Sequence, residues 1–361
     1  MYNYLVGRRK AGINMRLLLL SLAFCLSSVL AAQVGGLFTY EFLNFAPSAR
    51  ISALGGTHIA VIDDDINLGA TNPAVLNSLM HEQLSFSHAF HPGGVQYGYA
   101  AGGYYHQKWQ TTFSGAIRYA NYGTFDLTNN LGQTEGDFKA AEYGISIGAG
   151  RQLAEKLRGG INLRFVTSRL ESYNSAGIVA DLSLLYQDTA KNLILTMVAR
   201  NAGRQLSTYR EGNLEPLPFE LQAGISKRLK YLPFQFSLIY RYLDRWNILY
   251  DDPNSTETTL LFGDVDTEQS DTEIWFDNFA RHFVFNGELF MGKKDNFRLR
   301  LGYSHLLRKE LSIEEYRSLG GFTFGAGIKI NRFRLDYGRT NFHIGGGVNH
   351  LTIGTNIKEF R

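Results

Sequence analysis

Few residues in this chain have types and spacing that suggest chemistry. Asp63, Asp64 and Asp65 are consecutive carboxylates, hard oxygen donors of the kind Ca²⁺ takes. Three neighbouring side chains cannot converge on one ion without an unusual backbone. A solvated or arginine-paired turn, with Arg50 as a candidate partner, is the favoured reading. His88 and His91 stand three apart at the end of an alternating segment. On a strand that spacing puts them on opposite faces, which argues against shared metal ligation. Asp251, Asp252, Glu257, Asp264, Asp266, Glu268, Asp271 and Glu273 crowd one long connection. They are a candidate surface for docking a basic partner or for divalent cations that bridge lipopolysaccharide, against the plainer reading of a solvated loop, and partner docking is preferred. Asn254, Ser255 and Thr256 match a glycosylation sequon, which is read as chance. No G-x-S-x-G, H-E-x-x-H, P-loop or S-x-x-K element occurs, so no catalytic residue, metal site or cofactor is assigned and the chain is read as a non-enzyme.

The elements that would carry these residues are strands. The 361 residues include 25 Phe, 20 Tyr and 38 Gly but only 7 Pro, a balance suited to strands and tight turns. A mean hydropathy of -0.16 is too polar for a helical membrane protein but fits a barrel, where alternate residues face lipid. The start of the chain has the three parts of a secretory signal. Arg8, Arg9, Lys10 and Arg16 are basic, residues 17–30 are apolar, and Ala31 and Ala32 precede Gln33. Cleavage is placed after Ala31 or Ala32, with Gln33 as the preferred first residue, and Met15 is an alternative initiator to Met1. Removing this leader takes away the only cysteine, Cys25, and leaves a nearly neutral chain with no electrostatic case for nucleic acid. Leu22, Ala23, Phe24 and Cys25 resemble a lipoprotein box, but Phe24 stands where a small residue is required.

From residue 82 onward the chain alternates. Phe322, Phe324, Ala326, Ile328 and Ile330 share one face, opposite Thr323, Gly325, Gly327 and Lys329. Phe333, Leu335 and Tyr337 oppose Arg332, Arg334 and Asp336. Phe297, Leu299, Leu301 and Tyr303 oppose Arg298 and Arg300, and Leu351, Ile353 and Ile357 oppose Thr352 and Lys358. About fourteen strands are expected: 82–91, 94–106, 109–121, 138–152, 157–172, 175–188, 192–204, 218–229, 233–247, 280–292, 296–309, 320–330, 332–342 and 348–360. Every second connection is short, and the others include 121–137, 204–217, 248–279 and 307–319. Outer-membrane barrels show that asymmetry, with both termini periplasmic and the long loops extracellular. A soluble β-sandwich would also alternate. The charges at Arg164, Arg241, Arg298, Arg300 and Arg334, mid-strand and opposite a greasy face, favour the membrane barrel. Hydrocarbon does not tolerate open edges, so the first and last strands must pair.

Residues 33–81 do not alternate. They carry Gly35-Gly36, Tyr40-Glu41-Phe42-Leu43, Pro47-Ser48-Ala49-Arg50, Ala53-Leu54-Gly55-Gly56, the triple Asp, and Asn72-Pro73-Ala74-Val75-Leu76-Asn77. Pro73 capped by Asn72 should open a short helix. The segment is expected to fold into the lumen as a plug.

This order of motifs resembles the PorQ family of the Bacteroidetes type IX secretion system, related to the PorV and FadL-like barrels. The resemblance spans the leader, the plug segment and the strand layout. It implies an all-β, FadL/PorV-like transmembrane barrel in the outer membrane, among lipid and lipopolysaccharide. It also implies a role in a cell-surface attachment complex with PorU and PorV, holding a PorZ-like surface protein. The alternative is a FadL-like transporter of hydrophobic small molecules, which would need an apolar pocket inside the barrel.

Overall fold

A computed structural model describes residues 38–249, 271–310, 319–343 and 346–361. Fourteen antiparallel strands close into one barrel in sequence order. They are β1 (Gln83–Phe90), β2 (Gln96–His106), β3 (Thr111–Thr128), β4 (Thr134–Ala154), β5 (Leu157–Leu170), β6 (Tyr173–Asp188), β7 (Leu193–Ser207), β8 (Glu220–Arg228), β9 (Phe234–Tyr240), β10 (Phe283–Met291), β11 (Phe297–Ser304), β12 (Phe322–Ile330), β13 (Phe333–His343) and β14 (Gly346–Asn356). Closure is made by β1 on β14, from Gln83 opposite Asn356 to Phe90 opposite Asn349. That seam leaves no edge along the wall, as hydrocarbon requires.

The barrel is inside-out relative to a soluble protein. On β6, Ile178, Leu182 and Leu184 face outward, about half exposed, while Val179, Asp181 and Ser183 are buried. On β12 and β13, Phe324, Ile328, Leu335 and Tyr337 face out, and Thr323 and Asp336 face in. The period of two therefore sends the large apolar rows outward and a mostly polar row to the lumen, with valines such as Val166, Val179 and Val198 packed inward among it.

Each expected strand has its counterpart, but several limits differ. Residues 121–137 are no loop: β3 and β4 continue as a paired ribbon to Thr128 and Thr134. The ninth strand stops at Tyr240 rather than 247, because Tyr242 takes the left-handed conformation with φ 55° and ends the extended run. Arg241 thus lies beyond the strand. The eleventh stops at Ser304. There Ser304 Oγ accepts from Leu307 N at 3.4 Å, and the good helix formers that follow turn into helix His305–Glu310. The last strand ends at Asn356, whose side chain caps a 3₁₀ turn over Ile357–Phe360, so Ile357 and Phe360 are not strand residues. A further helix, Asp271–Arg281, precedes β10.

Candidate functional site

The lumen is filled by residues 38–82, which precede β1. Short turns and one helix, Ala49–Ala53, replace strands there. Ser48 caps that helix through Ile51 N, and Gly55 and Gly56 leave it with φ near 80°. Asn72 caps Pro73–Val75 by accepting from Ala74 N at 3.0 Å, with Pro73 at its first position, so the expected short helix is a 3₁₀ turn. Asp65 caps Ile66–Ala70 in the same way through Asn67 N. Phe42, Leu43, Ile51, Leu68, Val75 and Leu76 form the apolar centre of the segment.

Polar side chains lining the wall grip this segment's backbone on every side. Thr352 of β14 accepts from Ala49 N at 2.8 Å, and Thr323 of β12 accepts from Gly55 N at 2.9 Å. Ser52 meets Thr340 of β13. Asn72 donates to Thr196 of β7, and Ser183 of β6 accepts from Ala74 N at 2.8 Å. Asn162 of β5 donates to Gly69 O, and Arg118 of β3 donates to Leu43 O. Buried backbone groups need such partners, and here the wall supplies what a sheet would otherwise supply.

Charge locks the same surfaces together. The Arg50 guanidinium, 1 % exposed, lies 2.6 Å from Asp63, 3.4 Å from Asp65 and 2.7 Å from Glu288 of β10. Arg300 of β11 reaches Glu288 at 2.8 Å and Asp336 of β13 at 2.5 Å. Arg298 lies 3.3 Å from Asp63, and Arg334 of β13 holds both oxygens of Asp64, at 2.7 and 2.8 Å. Asp63 and Asp65 thus share Arg50, while Asp64 turns to Arg334. Across the lumen, Arg164 of β5 pairs with Asp181 of β6. Burial works to raise the Asp63 carboxyl, but Arg50, Arg298 and Arg334 outweigh it and hold the group below the ordinary carboxylate range. Asp65 is raised, by burial first and by Asp63 beside it.

His58 sits in the same core with neither ring nitrogen hydrogen-bonded. Burial, then Arg50, pushes it down to about 4. It is neutral when folded but takes a proton near 6.5 once unfolded. Acid therefore favours the unfolded chain, and stability attributable to His58 is lost as pH falls from 6.5 towards 4. That window is worth up to about 3 kcal/mol. His58→Leu is expected to flatten this part of the pH dependence of thermal unfolding in detergent, leaving stability at pH 7.5 equal or higher. An unchanged slope would show that His58 is not the group responsible.

Above the plug, at the end of the barrel opposite Arg361, a cavity of about 780 Å³ is lined by Phe38, Phe45 and Phe219 together with Arg200, Glu220 and Arg241. Arg241 and Glu220 form a two-bond pair at 2.7 and 2.8 Å. Aromatic and charged side chains share this space.

Of the sequence-derived candidates, Ser48, Ala49, Arg50, Gly55, Gly56, Asp63, Asp64, Asp65, Asn72, Pro73 and Ala74 all lie in this lumenal unit, and Pro47 is buried at its edge. His88 and His91 do not meet: His88 bonds to Tyr119, and His91 leans on Phe45 with ring centroids 4.8 Å apart. Asp251, Asp252, Glu257, Asp264, Asp266 and Glu268 lie outside the described residues. Asp271 opens helix Asp271–Arg281, and Glu273 is exposed in its first turn. The wall carboxylates Glu288, Asp181 and Asp336 were missing from the sequence-derived candidates. Their signal was a single acid on the polar face of an otherwise apolar strand, one strand away from an arginine.

No family model and no curated protein matches this chain. Solved structures match its fold. The CymD monoaromatic hydrocarbon channel is 14% identical over 89% of this chain and 99% of its own, with a TM-score of 0.51. The Pseudomonas putida toluene transporter TodX is 12% identical over 86% of this chain and 96% of its own, at 0.48. A Pseudomonas aeruginosa FadL homologue is 8% identical over 86% and 98%, at 0.45.

Proposed function

We propose that this protein is an outer-membrane barrel of the type IX secretion kind, built to hold a surface protein rather than to pass solute. Its fold is the closed FadL-like barrel of outer-membrane proteins. The PorQ-like order of motifs in residues 33–81 supports the finer reading. The observation that carries it is the seal. Wall strands on all sides bind the plug backbone, and Arg50 ties plug to wall through Asp63, Asp65 and Glu288. A plug tied to the wall by buried ion pairs is a rigid support, and hydrocarbon passing through it would meet charge. In this reading a leader of residues 1–32 exports the chain, the Arg361 end is periplasmic, and the partners are a PorZ-like surface protein with PorU and PorV.

The second reading is a channel for hydrophobic small molecules. It is favoured by the likeness in fold to CymD, and the comparisons back it better than they back the secretion role. The aromatic side of the upper cavity, with Phe38, Phe45 and Phe219, would then be the entry.

Gene deletion separates the two. On the first reading the deletion strain releases type IX cargo or its surface partner into the medium, and uptake of hydrophobic nutrients is unchanged. Normal surface retention together with lost uptake of a hydrophobic nutrient would reject the first reading and support the second.

A further inference from the structure

The wall is uneven in height. β3 and β4 run for 18 and 21 residues, whereas β8 to β12 run for 7 to 9. β2 pairs with β3 only as far as Gln96 opposite Asn121, and β5 pairs with β4 only as far as Leu170 opposite Ala140. Beyond those points Thr124–Thr128 pair with Thr134–Lys139 alone. At about 3.4 Å per residue, this two-stranded ribbon rises ~20 Å past its neighbours, on the rim opposite Arg361. Both of its sides carry backbone N–H and C=O groups that no other described element pairs. Such a row cannot lie in hydrocarbon, so the ribbon stands in water.

Its side chains are sorted by face. Phe125 stacks on Phe138 with centroids 5.3 Å apart, and Leu127 follows on that face. The other face sets Asp126 directly opposite Asp137, with Glu135 two residues before it. Like charges facing each other across a ladder are unfavourable, and nothing basic among the described residues pairs with either aspartate. Lys139, opposite Thr124, is the only cation on the paired ribbon. Proteins usually guard free edges with proline or with inward charge. Here the edge is bare of proline, and its acidity repels a second copy of itself.

We infer that this ribbon is a docking edge, extended by a strand from a protein partner in which lysine or arginine alternates with apolar residues. The partner's backbone would complete the unpaired row. Its apolar side chains would cover Phe125, Leu127 and Phe138, and its cations would relieve the Asp126–Asp137 opposition. This inference rests on the reading that the barrel holds a surface protein, and it names the surface used.

The test uses the full chain in detergent micelles, with a fluorescein-labelled peptide of alternating lysine and valine as probe. A second peptide has the same side chains but N-methylated valines. A variant barrel has residues 123–139 replaced by Asn-Gly, and its gel-shift heat modifiability verifies that it is folded. The lysine–valine peptide is expected to bind wild type at least about tenfold more tightly than the shortened barrel. N-methylation, or Asp126→Lys with Asp137→Lys, should each weaken binding by a similar factor. No binding to wild type, equal binding to the shortened barrel, or indifference to N-methylation overturns the inference. The broader reading is tested apart from it by purifying both barrels from native outer membrane. If the same surface protein accompanies both, the ribbon is not the docking edge and the partner-holding role stands. If none accompanies wild type, that role itself fails.

Discussion

Arg50→Met should turn a closed barrel into a conducting one. The substitution keeps most of the side-chain volume and removes the cation shared by Asp63, Asp65 and Glu288. Arg298 and Arg300 still reach Asp63 and Glu288, so the loss falls hardest on Asp65, whose only ion pair among the described residues is with Arg50. Stranding buried charge in this way costs about 3–5 kcal/mol. The wall keeps its own hydrogen-bonded ring, so the cost falls on the docking of the plug. In planar bilayers the variant is expected to show frequent channel openings where wild type is silent, and to remain heat-modifiable on gels. Arg50→Lys retains the charge but not the forked geometry and should fall between the two. Silence from Arg50→Met, with unchanged resistance of the plug to protease, would mean that packing alone holds it.

Gly160→Val should have the same outcome by a different route. Gly160 lies on the lumenal side of β5, where an added Cβ would land on the backbone of Pro73 and Ala74, well inside van der Waals contact. The strand itself does not need the glycine, since its φ is not positive and valine suits a strand. The penalty, more than about 3 kcal/mol because rigid backbone must move, is therefore borne by the plug. Gly338→Val on β13, which would strike the Ala49 carbonyl, is the matching change on the opposite wall. Both variants should conduct, and both should be indifferent to salt, whereas the Arg50→Met defect depends on charge. A Gly160→Val barrel that melts as wild type and stays closed would show that residues 73–74 do not rest against this wall.

How much of this was legible beforehand follows from what each feature depends on. The alternation at Phe333, Leu335 and Tyr337 against Arg334 and Asp336 is a property of one strand, and it placed the lipid face directly. The closing seam followed as well, because hydrocarbon forbids the alternative. The ends of strands were less legible. Whether residues 121–137 form a loop or a ribbon depends on cross-strand partners such as Phe125 and Phe138, which lie far apart in the alternation pattern. Tyr242 gave no sign of its left-handed turn.

The lumenal unit divides in the same way. Asn72-Pro73 announced a local cap, because a cap needs only its next three residues, whereas the Ser48 cap was not read from the sequence. The pairing of Arg50 with Glu288 joins positions 238 residues apart. Local pattern, one face greasy and the other wet, is set by residue type along the chain and could be read from it. The closure of the lumen depends on which inward acid meets which inward arginine once fourteen strands have curved into a ring, and that distance exists only in the folded barrel.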